Sequence, residues 1–308
     1  MNRPILILGE ALMDCLAQPD GSLMPLMGGS PYNLARAAAR QGAQVGYLPP
    51  FSSDRFGQQL KAQAMADGVR PQSPDSACPT SLAVVTLQHG QPSYSFYREG
   101  IADRDHTPAD LIALLHHHTP GVLHTGSLML LPPEHDKTLE VLRAARALGW
   151  LISVDTNLRP AMARDLPAYR DAVMQAVALA DWVKASDEDL LALGLGEATL
   201  ANAEHLRQAF ARPANRHIAF TFGAAGACLW VDGEHASAPA PTVQVVDAVG
   251  AGDTFWGTCL ADWARETPQA TAALPHTLAR AMRAAAINCG RKGCQPPTRD
   301  ELDHETLM

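Results

Sequence analysis

The sequence has no run of 18 apolar residues, too little for a transmembrane helix. The apolar run at residues 5–8 is too short for a secretory segment and reads as a first buried strand. Cysteine is scarce: there are six (Cys15, Cys78, Cys228, Cys259, Cys289 and Cys294), none spaced as CxxC. That excludes the usual zinc spacings and a disulfide framework, and fits reduced thiols in the cytoplasm. Charged residues make up only 18%, and 24 Lys and Arg stand against 32 Asp and Glu, a net charge of −8. No general attraction to nucleic acid or to an anionic membrane follows, although a local basic pocket remains open.

What is present is ordinary globular material. The chain has 308 residues, 47% hydrophobic. At roughly 150 residues per domain that makes one large domain or two modest ones, with ample core. Short apolar runs alternate with helical patterns: strand 4–8, helix 31–41, strand 44–48, and a helix over 54–66 opened by an Asp cap. From residue 108 the rhythm is regular. Helices are expected at 108–118, 133–148, 161–179 and 200–210, and strands at 121–125, 151–155, 181–184, 217–222 and 227–231. Two further helices fall near 250–265 and 275–291. This predicts a single α/β domain, a mostly parallel sheet with helices on both faces, and ligands beyond the carboxyl ends of its strands.

Two segments break the rhythm. Residues 11–27 are short and punctuated by Gly and Pro; residues 81–103 begin as a hairpin with a turn at His89-Gly90. Together they could form a small sheet standing over the site as a lid, or an antiparallel edge on the main sheet.

The strongest chemical signal is Asp247-Ala248-Val249-Gly250-Ala251-Gly252-Asp253-Thr254-Phe255, leading into a helix. Its glycines bare backbone N–H groups at a helix N-terminus, where a phosphate or oxyanion is favoured. Asp253 then either caps the helix or accepts a proton from an attacking hydroxyl. The run is neither GxxxxGK[ST] nor GxGxxG, which argues against P-loop and dinucleotide chemistry. Gly28-Gly29-Ser30-Pro31-Tyr32-Asn33 marks a tight loop-to-helix junction, in which Asn33 can bond a ligand hydroxyl or serve as turn chemistry. Arg98 and Arg159 are candidates for a phosphate or polyol, or else surface ion pairs. His116-His117-His118 point in different directions on a helix and read as a solvated end.

Gly-Gly-Ser-Pro-x-Asn-x-Ala near the start and Asp-Ala-Val-Gly-Ala-Gly-Asp-Thr-Phe near the end resemble the two motifs of the ribokinase-like (PfkB) sugar kinases. Asp155-Thr156-Asn157-Leu158-Arg159-Pro160 and Thr221-Phe222-Gly223-Ala224-Ala225-Gly226 resemble the family's substrate and nucleotide-phosphate loops, in the same order. The resemblance spans roughly residues 4–298. It implies a three-layer α/β/α ribokinase-like fold with a β-sheet lid. ATP and Mg²⁺ would be the cofactors, and a K⁺ requirement is left open.

The resemblance also implies roles. Asp253 would be the catalytic base, with Gly250, Ala251 and Gly252 giving amides to the transferred phosphoryl. Asp14, Gly29, Asn33, Phe96, Arg98 and Arg159 would hold the sugar. Lys184, Thr221, Gly223, Gly226 and Asn288 would hold the nucleotide, and Asp247 borders a monovalent-cation position. Where the family often has Asn-x-x-Glu, this chain has Ser186-Asp187-Glu188-Asp189, so Glu188 or Asp189 would hold the metal through water. The lid sequence resembles the fructokinase and 2-keto-3-deoxygluconate kinase branch. The expectation is a cytoplasmic fructokinase that pairs as a homodimer through lid strands. The acid-sugar kinase, a catalytically idle sugar binder and a dinucleotide oxidoreductase are the rivals.

Overall fold

The computed structural model describes residues 3–88, 91–265 and 274–304. The first strand, β1 (Ile5–Ile7), is buried on both faces, as expected of four consecutive apolar residues in a parallel sheet. The chain then leaves the main body as the hairpin β2 (Leu12–Ala17) and β3 (Leu23–Gly28), and returns as α1 (Ser30–Arg40). β4 (Val45–Tyr47), α2 (Arg55–Ala66) and β5 (Val69–Pro71) follow. The carboxylate of Asp54 accepts from the Gly57 N–H (2.7 Å), the cap expected there. A second excursion makes β6 (Ser81–Gln88) and β7 (Gln91–Tyr97). The expected turn at His89-Gly90 lies outside the described residues.

The regular half runs α3 (Pro108–His116), β8 (Val122–Gly126), α4 (Glu134–Ala147), β9 (Leu151–Asp155), α5 (Leu166–Leu179), β10 (Trp182–Ser186) and α6 (Asp187–Ala192). It continues with α7 (Ala203–Phe210), β11 (His217–Thr221), β12 (Ala227–Val231), β13 (Glu234–Ala238), α8 (Ala251–Arg265), α9 (Leu274–Cys289) and α10 (Arg299–His304). Nine strands form the main sheet in the order β13-β12-β11-β10-β9-β8-β1-β4-β5, parallel except for the β11–β12–β13 end. Its two faces carry separate cores. Ile5 and Ile7 pack towards α1, α8 and α9; Leu6 and Leu8 pack towards α3, α4 and α5. Strict alternation along one short strand thus sorts the helices into two layers.

The two excursions build their own sheet, β3-β2-β6-β7, and not an edge of the main one. The helix expected over 161–179 starts at Leu166, because Asp165 accepts from the Ala168 N–H (3.0 Å) and opens it there. His116 and His117 are exposed at the end of α3, and His118 bonds Gln72 Oε1 (2.9 Å).

Candidate active site

The loop before α8 meets the N-terminus of α1. Asp253, in the first turn of α8, is buried, and its carboxylate bonds side chains of α1. Oδ1 accepts from Ser30 Oγ (2.7 Å) and Oδ2 from Asn33 Nδ2 (3.1 Å). Ser30 Oγ in turn accepts from Asn157 Nδ2 (2.7 Å), on a residue whose φ of 34° marks a tight loop after β9. Two side chains of α1 thus hold this carboxylate and Asn157, from a distant loop, holds one of them, more than a helix cap needs. Burial pushes its carboxyl above the usual range, against the hydrogen bonds of Ser30 and Asn33 and the charges of Lys184 and Arg159. Asn33 Oδ1 is buried without a partner, an acceptor available to a ligand hydroxyl.

Gly250 has φ 74°, and a Cβ there would lie 2.3 Å from Cys294 Sγ, so neither dihedral nor space admits a side chain. The Ala251 N–H is taken by Ala248 O (3.2 Å). Among the described residues the N–H groups of Gly250, Gly252 and Asp253 bond nothing, at the positive end of a helix of 15 residues. Behind Gly252 lies Lys184. Its ammonium donates to both oxygens of Asp155 (3.0 and 2.9 Å) and would be 3.2 Å from a Cβ at 252. Burial alone would favour the neutral amine, but Asp155, Asp189 and Asp253 outweigh it and hold Lys184 protonated. Lys184 thus places a positive charge directly behind the open end of α8.

On the separate sheet, Asp14 pairs in register with Leu26 on one side and Ala83 on the other, and Ala83 with Phe96. Residues directly opposite share a face, so Asp14 and Phe96 lie on one side of the lid. That side packs through Leu12, Ala83 and Phe96 onto Leu128 and Met162 of the main body. Gly28 leaves room for Asp14, since a Cβ there would stand 2.1 Å from Oδ2; Gly29 (φ 105°) is crowded by Glu10 O. Burial raises the Asp14 carboxyl to about 6, with Arg159 lowering it and Asp253 raising it further. Arg159 is half-buried; its backbone N–H donates to Tyr169 Oη (3.2 Å), its guanidinium donates to the carbonyls of Asn157 and Leu158, and it forms no ion pair among the described residues. It is accordingly not the surface pair that was its alternative reading.

A cavity of about 610 Å³ opens on the other side of Gly252. Thr221, Gly223 and Gly226 line one wall; Phe255, Met282 and Cys289 lie opposite. Gly226 (φ 122°) has Ala238 O where a Cβ would be, and this lets the turn after β11 lie flat against β13.

Several expectations change. Asn288 does not face the cavity: Nδ2 donates to Val249 O (2.8 Å) and Oδ1 accepts from Gln295 N (2.8 Å), so it clamps two loops together. Arg98 donates to Asp103 (3.2 and 3.4 Å) and Ser81 Oγ (3.3 Å), a buried ion pair at the base of the small sheet. Asp247 ties its loop down by accepting from the Val249 and Gly293 N–H groups.

Asp189 is spent as well. With Ser186 it makes a capping box, and its other oxygen accepts from Leu158 N (2.7 Å). Ser-x-x-Asp here is a helix start, and Glu188 beside it is exposed. The sequence did not point to Ser30 as a partner of Asp253, or to Glu10 behind it, although both flank motifs it had singled out.

Residues 4–301 match the family model described as pfkB family carbohydrate kinase. A fructokinase from Klebsiella pneumoniae is 32% identical over 310 residues, covering 98% of this chain and 99% of that one. A fructokinase from Rhizobium leguminosarum bv. trifolii is 35% identical over 82% of this chain and 77% of its own length. The structure of fructokinase with bound ATP from Xylella fastidiosa superposes with a TM-score of 0.82 at 28% identity, covering 99% of each chain. With its motifs in family order and its fold matched end to end, this chain belongs to the pfkB family of carbohydrate kinases.

Proposed function

We propose that this enzyme transfers the γ-phosphoryl group of ATP to fructose, giving fructose 6-phosphate and ADP. The observation that carries the reading is the position of Asp253. It is a buried carboxylate at a helix N-terminus, between the lid face bearing Asp14 and the 610 Å³ cavity that ends at Gly252. The sugar would lie against Asp14, Asn33 and Arg159, and ATP along Thr221, Gly223 and Gly226. Asp253 takes the proton from the sugar hydroxyl while that oxygen forms its bond to phosphorus and the bond to ADP breaks. Ser30 and Asn33 hold the carboxylate in line, and the N–H groups of Gly252 and Asp253 meet the charge gathering on the phosphoryl oxygens. Mg²⁺, held through water by Glu188, would neutralise phosphate charge when bound. Fructose follows from the two fructokinase relatives that cover most of this chain.

An ATP-consumption assay over fructose, ribose, 2-keto-3-deoxygluconate, mannose and adenosine tests this, with fructose expected to give the highest kcat/KM. Preference for the deoxygluconate would move the reading to an acid-sugar kinase, with the unpaired Arg159 facing its carboxylate. No turnover with any of them would leave a sugar-binding protein. Six free thiols suit a reducing cytoplasm, where we place the reaction. The lid has open edges at β3 and β7, and pairing of one with a second copy is the dimer we infer, to be checked by sedimentation.

A further inference from the structure

The chain passes between the main body and the lid four times, and one buried polar cluster touches every crossing. The first crossing, β1 to β2, carries Glu10 and Ala11; the second, β3 to α1, carries Gly29 and Ser30. The third enters β6 at Ser81, and the fourth leaves β7 through Arg98 towards Asp103. Arg98 binds Asp103 and Ser81, and Asp103 also accepts from the Ala11 backbone. Glu10 Oε1 accepts from the Ser30 N–H (3.3 Å), and Ser127 also bonds the Glu10 side chain. Glu10 is 1% exposed, lies within the field of both Arg98 and Asp103, and its Oε2 is without a partner among the described residues. A carboxylate kept in such a place at the cost of burial, with one oxygen idle, is poor material for stability alone.

We propose that Glu10 is a positioning residue that couples the lid to the catalytic base. It joins the charged cluster under the lid crossings to the backbone of Ser30, whose hydroxyl holds Asp253. A change of lid angle shifts Arg98 and Asp103 against Glu10, and Glu10 carries the shift to Ser30. Alignment of Asp253 and seating of the lid are then one event. Burial raises the Glu10 carboxyl to about 7 even beside Arg98, which fits a group whose native hydrogen bonds are incomplete.

The proposal rests on the kinase reading, and the test separates the two. In Glu10→Ala, kcat should fall roughly 10–100-fold, the scale of a misplaced catalytic group, with KM for ATP unchanged within about 2-fold. Glu10→Gln keeps an acceptor for the Ser30 N–H and should recover kcat to within about 5-fold of wild type. If Glu10 acts through Ser30, the double variant Glu10→Ala/Ser30→Ala should lose no more than Ser30→Ala alone. Wild-type kcat in Glu10→Ala, a Gln variant no better than Ala, or losses that multiply in the double variant would each overturn the proposal. Should Glu10→Ala not fold, the same cycle run with Glu10→Gln decides. Absence of ATP turnover by the wild-type enzyme with any sugar removes the kinase reading and this proposal together; turnover indifferent to Glu10 removes the proposal alone.

Discussion

Two carboxylates of the site are held by opposite means, and their chemistry follows from that. Asp253 has both oxygens hydrogen-bonded, which fixes its direction, while burial keeps its proton affinity high enough to accept a proton. Asp253→Asn keeps the volume and should leave sugar and ATP binding within a few-fold. It should lower kcat by about 10²–10⁴, the span of a lost general base; steady-state kinetics showing an unchanged kcat would remove Asp253 from the mechanism. Because the base must be ionised and its carboxyl is raised, kcat/KM should decline on the acid side at a higher pH than an ordinary carboxylate would give. Asp14 has no hydrogen-bond donor among the described residues, and its burial costs the native state stability. Its carboxyl sits at about 6 folded against 3.8 ordinarily, so the native state binds more protons between those values and loses stability as pH rises through them. Asp14→Asn should therefore melt higher than wild type above pH 6 and lose that advantage towards pH 4, while binding fructose poorly. A melting temperature unaffected by the substitution at pH 7.5 would contradict the burial argument.

Among the elements, the junction of α1 with α8 decides most. Gly250 is held at φ 74° against Cys294, so Gly250→Ala should cost roughly 1–3 kcal/mol of stability by thermal or denaturant unfolding, and lower kcat by displacing the N–H groups that follow. A variant as stable as wild type would show the loop to be slack. This junction also separates what was legible in the sequence from what was not. The strand and helix rhythm, the Asp54 cap and the Gly-rich start of α8 rest on local rules, and the sequence carries them openly. Ser30 was passed over because its partner is 223 residues away, a proximity that no spacing reports. Arg98 looked available because a loop charge usually is; its burial against Asp103 depends on four chain crossings converging. Asn288 reads as a binding residue until the carbonyl of Val249 is found across from it. Ser186-x-x-Asp189 is itself a local capping signal, overlooked because the family pattern drew attention to metal instead. β5 and β13 are strands of three and five residues at the sheet ends, with too little periodicity to announce themselves.

At the scale of the molecule, the proposed reaction draws groups from two sheets that share no strand. Asp14 and Phe96 ride on the four-stranded sheet, while Asp253, Lys184 and the cavity lined by Thr221 and Gly223 belong to the main body. The small sheet meets the body on both its faces: Leu12 and Ala83 pack onto Leu128 in a small cluster, while Met13 and Cys15 on the other face join the core formed with α1 and α2. The small sheet keeps open edges at β3 and β7, whereas the central strands of the main sheet are buried on both faces and open only with global unfolding. A sugar bonded at once to Asp14 and Asn33 would bridge the two parts and expel water that would otherwise compete for the phosphoryl group. Hydrogen exchange should register this unequally. With fructose and a non-hydrolysable ATP analogue, amides of β2 and β6 should be protected several-fold, while those of β8 and β9 stay at their already slow rates. Protection confined to the α8 N-terminus, with the lid unchanged at saturating ligand, would mean that the sugar is held by the body alone and that Asp14 serves the lid only as a strand residue.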